Sequence, residues 1–242
     1  MSNADQNRIR LGSYNIRAGL GTDMRRDPDR TLAAIDALNL DVAVLQEADF
    51  RMGARPTALP VQSLMQTTGL VPISQRAGSD SLGWHGIGIL AKPDVVVQDV
   101  ARFDLPGLEP RGALLAELDT SIGPLRVIGV HLGLLRRSRR AQLSHLRDII
   151  ADRASMPTVM AGDFNEWSLR RGLGRLNADY RIVTPGPSFP SRYPALSLDR
   201  FVHSDDLMVS AEPVRRSKRG PHASDHLPIV AHIHRNRHIQ TG

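Results

Sequence analysis

Short apolar runs that each stop at a polar side chain able to bind a cation or move a proton recur along the chain, and nothing else in it constrains the fold as strongly. Residues 9–16 read as a strand that reaches Asn15, and Val42–Leu45 leads into Gln46 and Glu47. Leu125–Val130 ends on His131, and Thr158–Ala161 passes into Gly162 and Asp163. Leu198–Val202 carries Asp199, and Leu227–Ile233 begins just after Asp225 and His226. Each run is β-rich and flanked by Gly, Pro or Asp, the pattern of a strand closed by a turn. One carboxylate beyond a strand is an ordinary surface residue. Six such ends in one chain point to a shared site.

Helical signals are fewer. Asp27-Pro28 is a cap followed by a first-turn proline, with Leu32, Ile35 and Leu38 recurring behind it. In 136–153, Leu143, Leu146, Ile149 and Ile150 form one apolar stripe. Residues 83–130 read as strands broken by Pro and Gly, which predicts hairpins or a meander rather than βαβ units. Strand runs with a few helices predict an α+β layered sandwich. With 242 residues and no internal repeat or long linker, the expectation is a single domain, 1–242, with its core at about 8–235.

The chain has no cysteine, which excludes thiol catalysis, Cys-ligated zinc and iron–sulfur clusters. It also fits a reducing compartment. The opening MSNADQNRIRLG has no apolar segment of the signal-peptide kind. No apolar run approaches the ~20 residues of a membrane span. The expectation is a cytoplasmic chain without a transmembrane segment or an obligate protein partner. Lys and Arg outnumber Asp and Glu by 31 to 25, a balance that fits anionic partners and a merely soluble surface equally.

The motifs carry the chemistry. In Gly162-Asp163-Phe164-Asn165, residues two apart share one side, so an Asp that can take a proton from water stands beside a neutral amide that can hold an oxygen. An Asx turn would explain Asp163 alone. Ser224-Asp225-His226 sets a hard oxygen ligand beside an imidazole able to donate to a phosphate. A carboxylate on the second ring nitrogen would fix the tautomer of His226 and favour its protonated form. Asp199 is the best candidate, and its competing role is an ion pair with Arg200. Strand neighbours point to opposite faces, which weakens that alternative. His131 fits either a structural histidine or a phosphate donor.

These segments resemble, in order and over nearly the whole chain, the endonuclease/exonuclease/phosphatase superfamily. SYNIRAG is similar to its Asn motif and LQEADFR to its Glu motif. WHGIGIL, EPRGALLAEL and VIGVHL resemble the strands that follow, and AGDFN, LDRF and SDHLPI its last three motifs. The resemblance implies a four-layer sandwich, two mixed β-sheets packed face to face and flanked by helices. It implies a Mg²⁺-dependent phosphodiester hydrolase of endonuclease-like type, with Mn²⁺ as a substitute cation. Alternatives are an enzyme for phospholipid headgroups or small phosphoesters, or a catalytically silent binding module. Asn15, Glu47 and Asp225 would form the metal site. Asp163 and Asn165 would handle the attacking water, His226 with Asp199 the phosphorane-like state, and His131 the phosphate or leaving oxygen. Arg111, joined by Arg17 of the Asn motif, would bind phosphate oxygens. Ile87 stands where the family often has Asn, and no Lys follows two positions after Glu47. Both departures argue against an abasic-site endonuclease.

Arg136, Arg137, Arg139 and Arg140 open the 136–153 helix, where positive charge opposes the helix dipole by roughly 0.3–1 kcal/mol per exposed residue. Local helix stability does not explain them; anion binding or a solvated face does. Arg136 and Arg137 are therefore candidate substrate contacts, on nucleic acid or an anionic lipid headgroup. A second basic run, 215–219, precedes the Ser-Asp-His motif. Aromatics are only 4% of residues, too few for a stacking platform along single-stranded nucleic acid. Phe189-Pro190-Ser191 and Trp167 fit pocket walls, and core packing fits the two aromatics equally.

Overall fold

The computed structural model describes residues 7–50, 53, 55–74, 77–168, 173, 176, 179–216 and 220–236. One sheet contains β1 (Ile9–Asn15), β2 (Val42–Gln46), β3 (Val71–Pro72), β4 (Gly88–Ala91), β11 (Leu207–Ala211) and β12 (Ile229–Arg235), in the order β11-β12-β1-β2-β4-β3. The other contains β5 (Val96–Leu105), β6 (Arg111–Thr120), β7 (Gly123–His131), β8 (Thr158–Asp163), β9 (Arg181–Val183) and β10 (Asp199–His203), in the order β5-β6-β7-β8-β10-β9. Both sheets have the same plan: a central parallel pair, β1–β2 or β7–β8, with antiparallel pairings outside it. A parallel pair requires a crossover rather than a hairpin. Helix α1 (Pro28–Asp36) lies in the first crossover and α3 (Arg136–Ala151) in the second.

Alternation along the strands builds four layers. Leu11, Val42, Val44, Val127, Val159 and Ala161 face inward and form the core between the sheets. Their neighbours Ala43 and Leu45 pack outward with Leu32 and Ile35 of α1 and Leu64 of α2 (Val61–Thr68). Ile128, Val130 and Met160 face the other way, onto Leu143 and Leu146 of α3. The sheets approach closely at Gly129, where a Cβ would lie 2.7 Å from Ile87 Cγ2 and 2.9 Å from Val44 Cγ1.

The expected elements are present with small shifts. The Asp27 side chain accepts from Arg30 N at 2.9 Å, capping α1 with Pro28 in its first turn, while Leu38 lies beyond the helix end. Residues 96–131 form the β5-β6-β7 meander. Helix α2 was not anticipated, because Leu64 is its only buried residue and leaves no periodic stripe. The edge strands β3, β9 and β11 were also missed; they are short or half-exposed, so alternation is weak. No helix among the described residues is long and apolar enough to cross a membrane.

Candidate active site

The carboxyl ends of the two central parallel pairs meet at one edge of the sandwich. Asn15 is in register with Gln46, His131 with Asp163, and Asp163 with Asp199. The polar side chains that end the apolar runs are therefore neighbours by strand pairing. Gly162 makes this possible, since a Cβ there would stand 1.9 Å from the carbonyl oxygen of Val130. Two residues next to the strand ends, Glu47 and Asn165, have positive φ angles of 49° and 50°. Asn accepts this conformation readily, whereas Glu does so rarely, and such backbone outliers concentrate at functional sites.

Asp163 is the centre. Its Oδ2 lies 3.3 Å from Asn15 Nδ2, 3.5 Å from His131 Nε2 and 3.6 Å from His226 Nε2. Its Oδ1 accepts from the backbone N–H of Asn165 at 2.9 Å. Burial pushes the Asp163 carboxyl up, the nearby Asp199 charge pushes it further, and His226, Asn165 and Asn15 offset only part of the rise. Asn15 also donates to Glu47 Oε1 at 3.5 Å, so one amide links the ends of both sheets. Asn165 donates its amide to Leu132 O at 2.9 Å, fixing the turn after His131.

His226 Nδ1 donates to Asp199 Oδ2 at 2.9 Å, and Ser188 Oγ donates to the same oxygen. Burial alone would lower the His226 pKa, but the Asp199 charge and hydrogen bond override it and lift it to about 9. Arg200 points to the opposite face and donates to the Glu166 carbonyl at 2.8 Å, so Asp199 is not its ion-pair partner. The Phe189 ring packs on His226 at 4.9 Å between centroids. The loop bearing Asp225 is held from both sides. Ser224 Oγ donates to Asn15 O at 2.6 Å, and Ser191 N donates to Asp225 O at 2.7 Å. Arg17 Nε lies 3.3 Å from Asp225 Oδ2.

Beside this centre lies a cleft of about 200 Å³, lined by Glu47 and His131 at one side and by Phe50, Arg55, His85 and Arg111 among others. Arg111 pairs with Glu109 at 2.9 Å. Arg55 contacts His85 Nδ1 at 3.0 Å, which leaves Nε2 to donate to Asp104 at 2.9 Å. The sequence reading missed Arg55 and His85, along with Ser188. His85 is placed by a turn, Trp84 to Ile87, Arg55 lies in the loop between Asp49 and Thr57, and Ser188 stands in no pattern of its own.

The basic run at the start of α3 divides. Arg136, Arg137 and Arg140 are exposed, but Arg139 is buried. Arg139 pairs with buried Glu166 at 2.8 Å and donates to Gly133 O and Leu134 O, so it is a structural residue rather than an anion contact. Trp167 is on the surface and belongs neither to the core nor to the cleft. In the second basic run, Arg215 and Arg216 are exposed, and 217–219 lie outside the described residues.

Asp163, Asp199 and His226 present possible ligand atoms within 4.8 Å of one another. The bond from His226 Nδ1 to Asp199 already engages two members of that trio. Glu47, Asn15 and Asp225 offer oxygen atoms around it, the set that hard divalent cations prefer.

Comparison with known proteins agrees with the fold. No curated protein matches the chain. A functionally unknown conserved protein from Enterococcus faecalis V583 matches with a TM-score of 0.74 at 20% identity, over 94% of this chain and all 100% of that one. A mannosyl-6-phosphatase from Bacteroides thetaiotaomicron VPI-5482 matches with a TM-score of 0.71 at 14% identity, over 93% and 99%. D. rerio TDP2, complexed with a single-strand DNA product, matches with a TM-score of 0.71 at 19% identity, over 93% and 98%. At these identities the likeness concerns the fold. The model of the Endonuclease/Exonuclease/phosphatase family matches residues 12–226, spanning every motif from the Asn15 strand to His226, and the chain belongs to that family.

Proposed function

We propose that the chain is a Mg²⁺-dependent phosphodiester hydrolase in which Asp163 activates the attacking water. One observation supports this most: Asn15, His131 and His226, from separate parts of the chain, all reach a single buried oxygen, Asp163 Oδ2, within 3.3–3.6 Å. A carboxylate whose pKa is raised by burial accepts a proton more readily than an exposed one.

The residues present fit a hard divalent cation. Glu47, Asp163, Asp199 and Asp225 crowd four carboxylates into one region, and the buried Asp199 Oδ1 has no hydrogen-bond partner among the described residues. Excess negative charge on oxygen donors is what such a cation relieves. Glu47 and Asn15, with Asp225, would hold Mg²⁺, and Mn²⁺ suits the same oxygens. When bound, the cation would neutralise charge on the phosphate.

The chain's own groups supply the rest. Asp163 takes a proton from water as the new O–P bond forms, and Asn165 holds that water. His226, kept protonated near neutral pH by Asp199, donates Nε2–H to a non-bridging phosphate oxygen. His131 protonates the ester oxygen as the P–O bond breaks. Arg17 and Arg111 meet the remaining phosphate oxygens, and Arg136 and Arg137 attract the anion from further out. The domain 1–242 would act as one unit, and the lack of cysteine fits a cytoplasmic setting.

Nucleic acids and phospholipid headgroups both offer the required diester. The test is turnover of bis-p-nitrophenyl phosphate, plasmid DNA, RNA and phospholipid, with Mg²⁺ and with EDTA. Hydrolysis of at least one that disappears with EDTA is expected. Absence of turnover on all four would favour a silent binding module.

A further inference from the structure

Large apolar side chains are exposed together on the His131 side of the site. Leu108, Leu134, Leu135 and Trp167 are 74%, 65%, 51% and 65% exposed. They stand on three loops that are tied to one another. Leu134 N donates to Glu109 Oε1 at 2.9 Å, joining the loop of Leu108 to that of Leu134. Arg139 joins the loop of Leu134 to that of Trp167, since it donates to Leu134 O and pairs with Glu166 at 2.8 Å. Gln142, buried in α3, accepts from Gly133 N at 2.9 Å. The apolar rim is therefore supported from beneath rather than loosely attached.

Beside it, Arg136, Arg137 and Arg140 are exposed and enter no ion pair among the described residues. Two features here are locally unfavourable to α3. Leu135 occupies the N-cap position, where it makes no capping bond, and the first turn contains arginines and no acid. Neither residue choice is explained by the helix itself, and both place side chains outward on the same rim.

We propose that this rim docks on an anionic lipid surface, with the leucines and Trp167 entering the headgroup–acyl boundary and the arginines meeting lipid phosphates. Charge complementarity selects this partner. Apolar tips beside exposed arginines match a surface that is negative outside and apolar beneath. Three of the four apolar residues are aliphatic, which suits acyl chains and gives little stacking for nucleic-acid bases. A second copy meeting the same rim would place arginine against arginine. Docked this way, the strand-end site faces phosphodiesters at headgroup level. The choice of substrate class rests on the hydrolase reading, whereas the docking itself does not.

The test measures binding of the full chain to phosphatidylcholine vesicles with and without phosphatidylglycerol, at low and high salt. Binding should require phosphatidylglycerol and weaken with salt. The double variant L134S/L135S should bind about tenfold more weakly, as should L108S/W167S. Each should hydrolyse bis-p-nitrophenyl phosphate as the parent does and melt at no lower temperature, L134S/L135S somewhat higher because a serine at position 135 can cap α3. Vesicle binding unaffected by all four substitutions, or no binding to anionic vesicles, would overturn the proposal. It would also be overturned if the leucine variants lost duplex DNA binding, or a concentration-dependent dimer, while vesicle binding was absent. Leucine-dependent vesicle binding without any diester hydrolysis would leave the docking standing and remove the hydrolase reading.

Discussion

Asp199 Oδ2 accepts from His226 Nδ1 at 2.9 Å, and this turns the other ring nitrogen, Nε2, toward Asp163 at 3.6 Å. A side chain on β10 thus sets both the tautomer and the charge of a histidine on the loop before β12. If His226 acts as a cation on the phosphate, its effect depends on Asp199 even though Asp199 need not touch substrate.

Replacing Asp199 with Asn should therefore lower kcat by roughly 10²–10⁴-fold, with a smaller change in KM. The pH profile adds a sign. The raised pKa, about 9, keeps His226 protonated through neutral pH in the parent. Without the Asp199 charge that pKa falls, so the alkaline decline in rate should begin at lower pH. Parent-like kinetics with an unmoved alkaline limb would contradict the assignment.

Removal of the cation should stop turnover and lower thermal stability, because a ligand bound only by the folded state stabilises it. Adding Mg²⁺ to chelated protein should raise Tm, whereas Glu47→Gln should need about tenfold more Mg²⁺ for the same shift. Thermal melts over a Mg²⁺ titration decide this, and equal responses in the two proteins would remove Glu47 from the metal site.

The Arg139–Glu166 pair makes a stability prediction independent of catalysis. Burial raises the cost of the Glu166 charge, but Arg139 holds its carboxyl below the ordinary range. Arg139→Met leaves that charge unpaired and should cost about 3–5 kcal/mol by denaturant unfolding. A depressed pKa stabilises the fold above the ordinary carboxylate range, and this contribution is lost as pH falls through the folded value. The gap between parent and variant should therefore narrow in acid. A constant gap would mean that packing, rather than charge, dominates.

Gly162→Ala tests the backbone approach that brings Asp163 to His131. The added Cβ would collide with the Val130 carbonyl, a backbone atom that cannot rotate away. Destabilisation of about 1–3 kcal/mol is expected, with loss of activity exceeding the loss of folded protein. Normal activity in the folded fraction would show that the β7–β8 approach is not critical.

These relationships were legible in the sequence to different depths. The strand ends were clear because alternation and buried runs are local, and the family match runs in order from residue 12 to 226. Ser188, in contrast, lies in a Pro-rich segment where nothing local indicates its bond to Asp199. Arg139 was grouped with its exposed neighbours because charge patterning along a helix start cannot reveal Glu166, which is 27 positions away. Edge strands and α2 were missed for a related reason: few buried positions leave little period to detect.

Asp163 as the water-activating group at a Mg²⁺ site is the assignment on which the proposed mechanism rests. Its most direct test is hydrolysis of bis-p-nitrophenyl phosphate with Mg²⁺ by the parent and by Asp163→Asn, at matched folded concentration and unchanged fold by circular dichroism. A fall in kcat of at least about 10²-fold is expected for the variant. A variant that keeps near-parent kcat would contradict it.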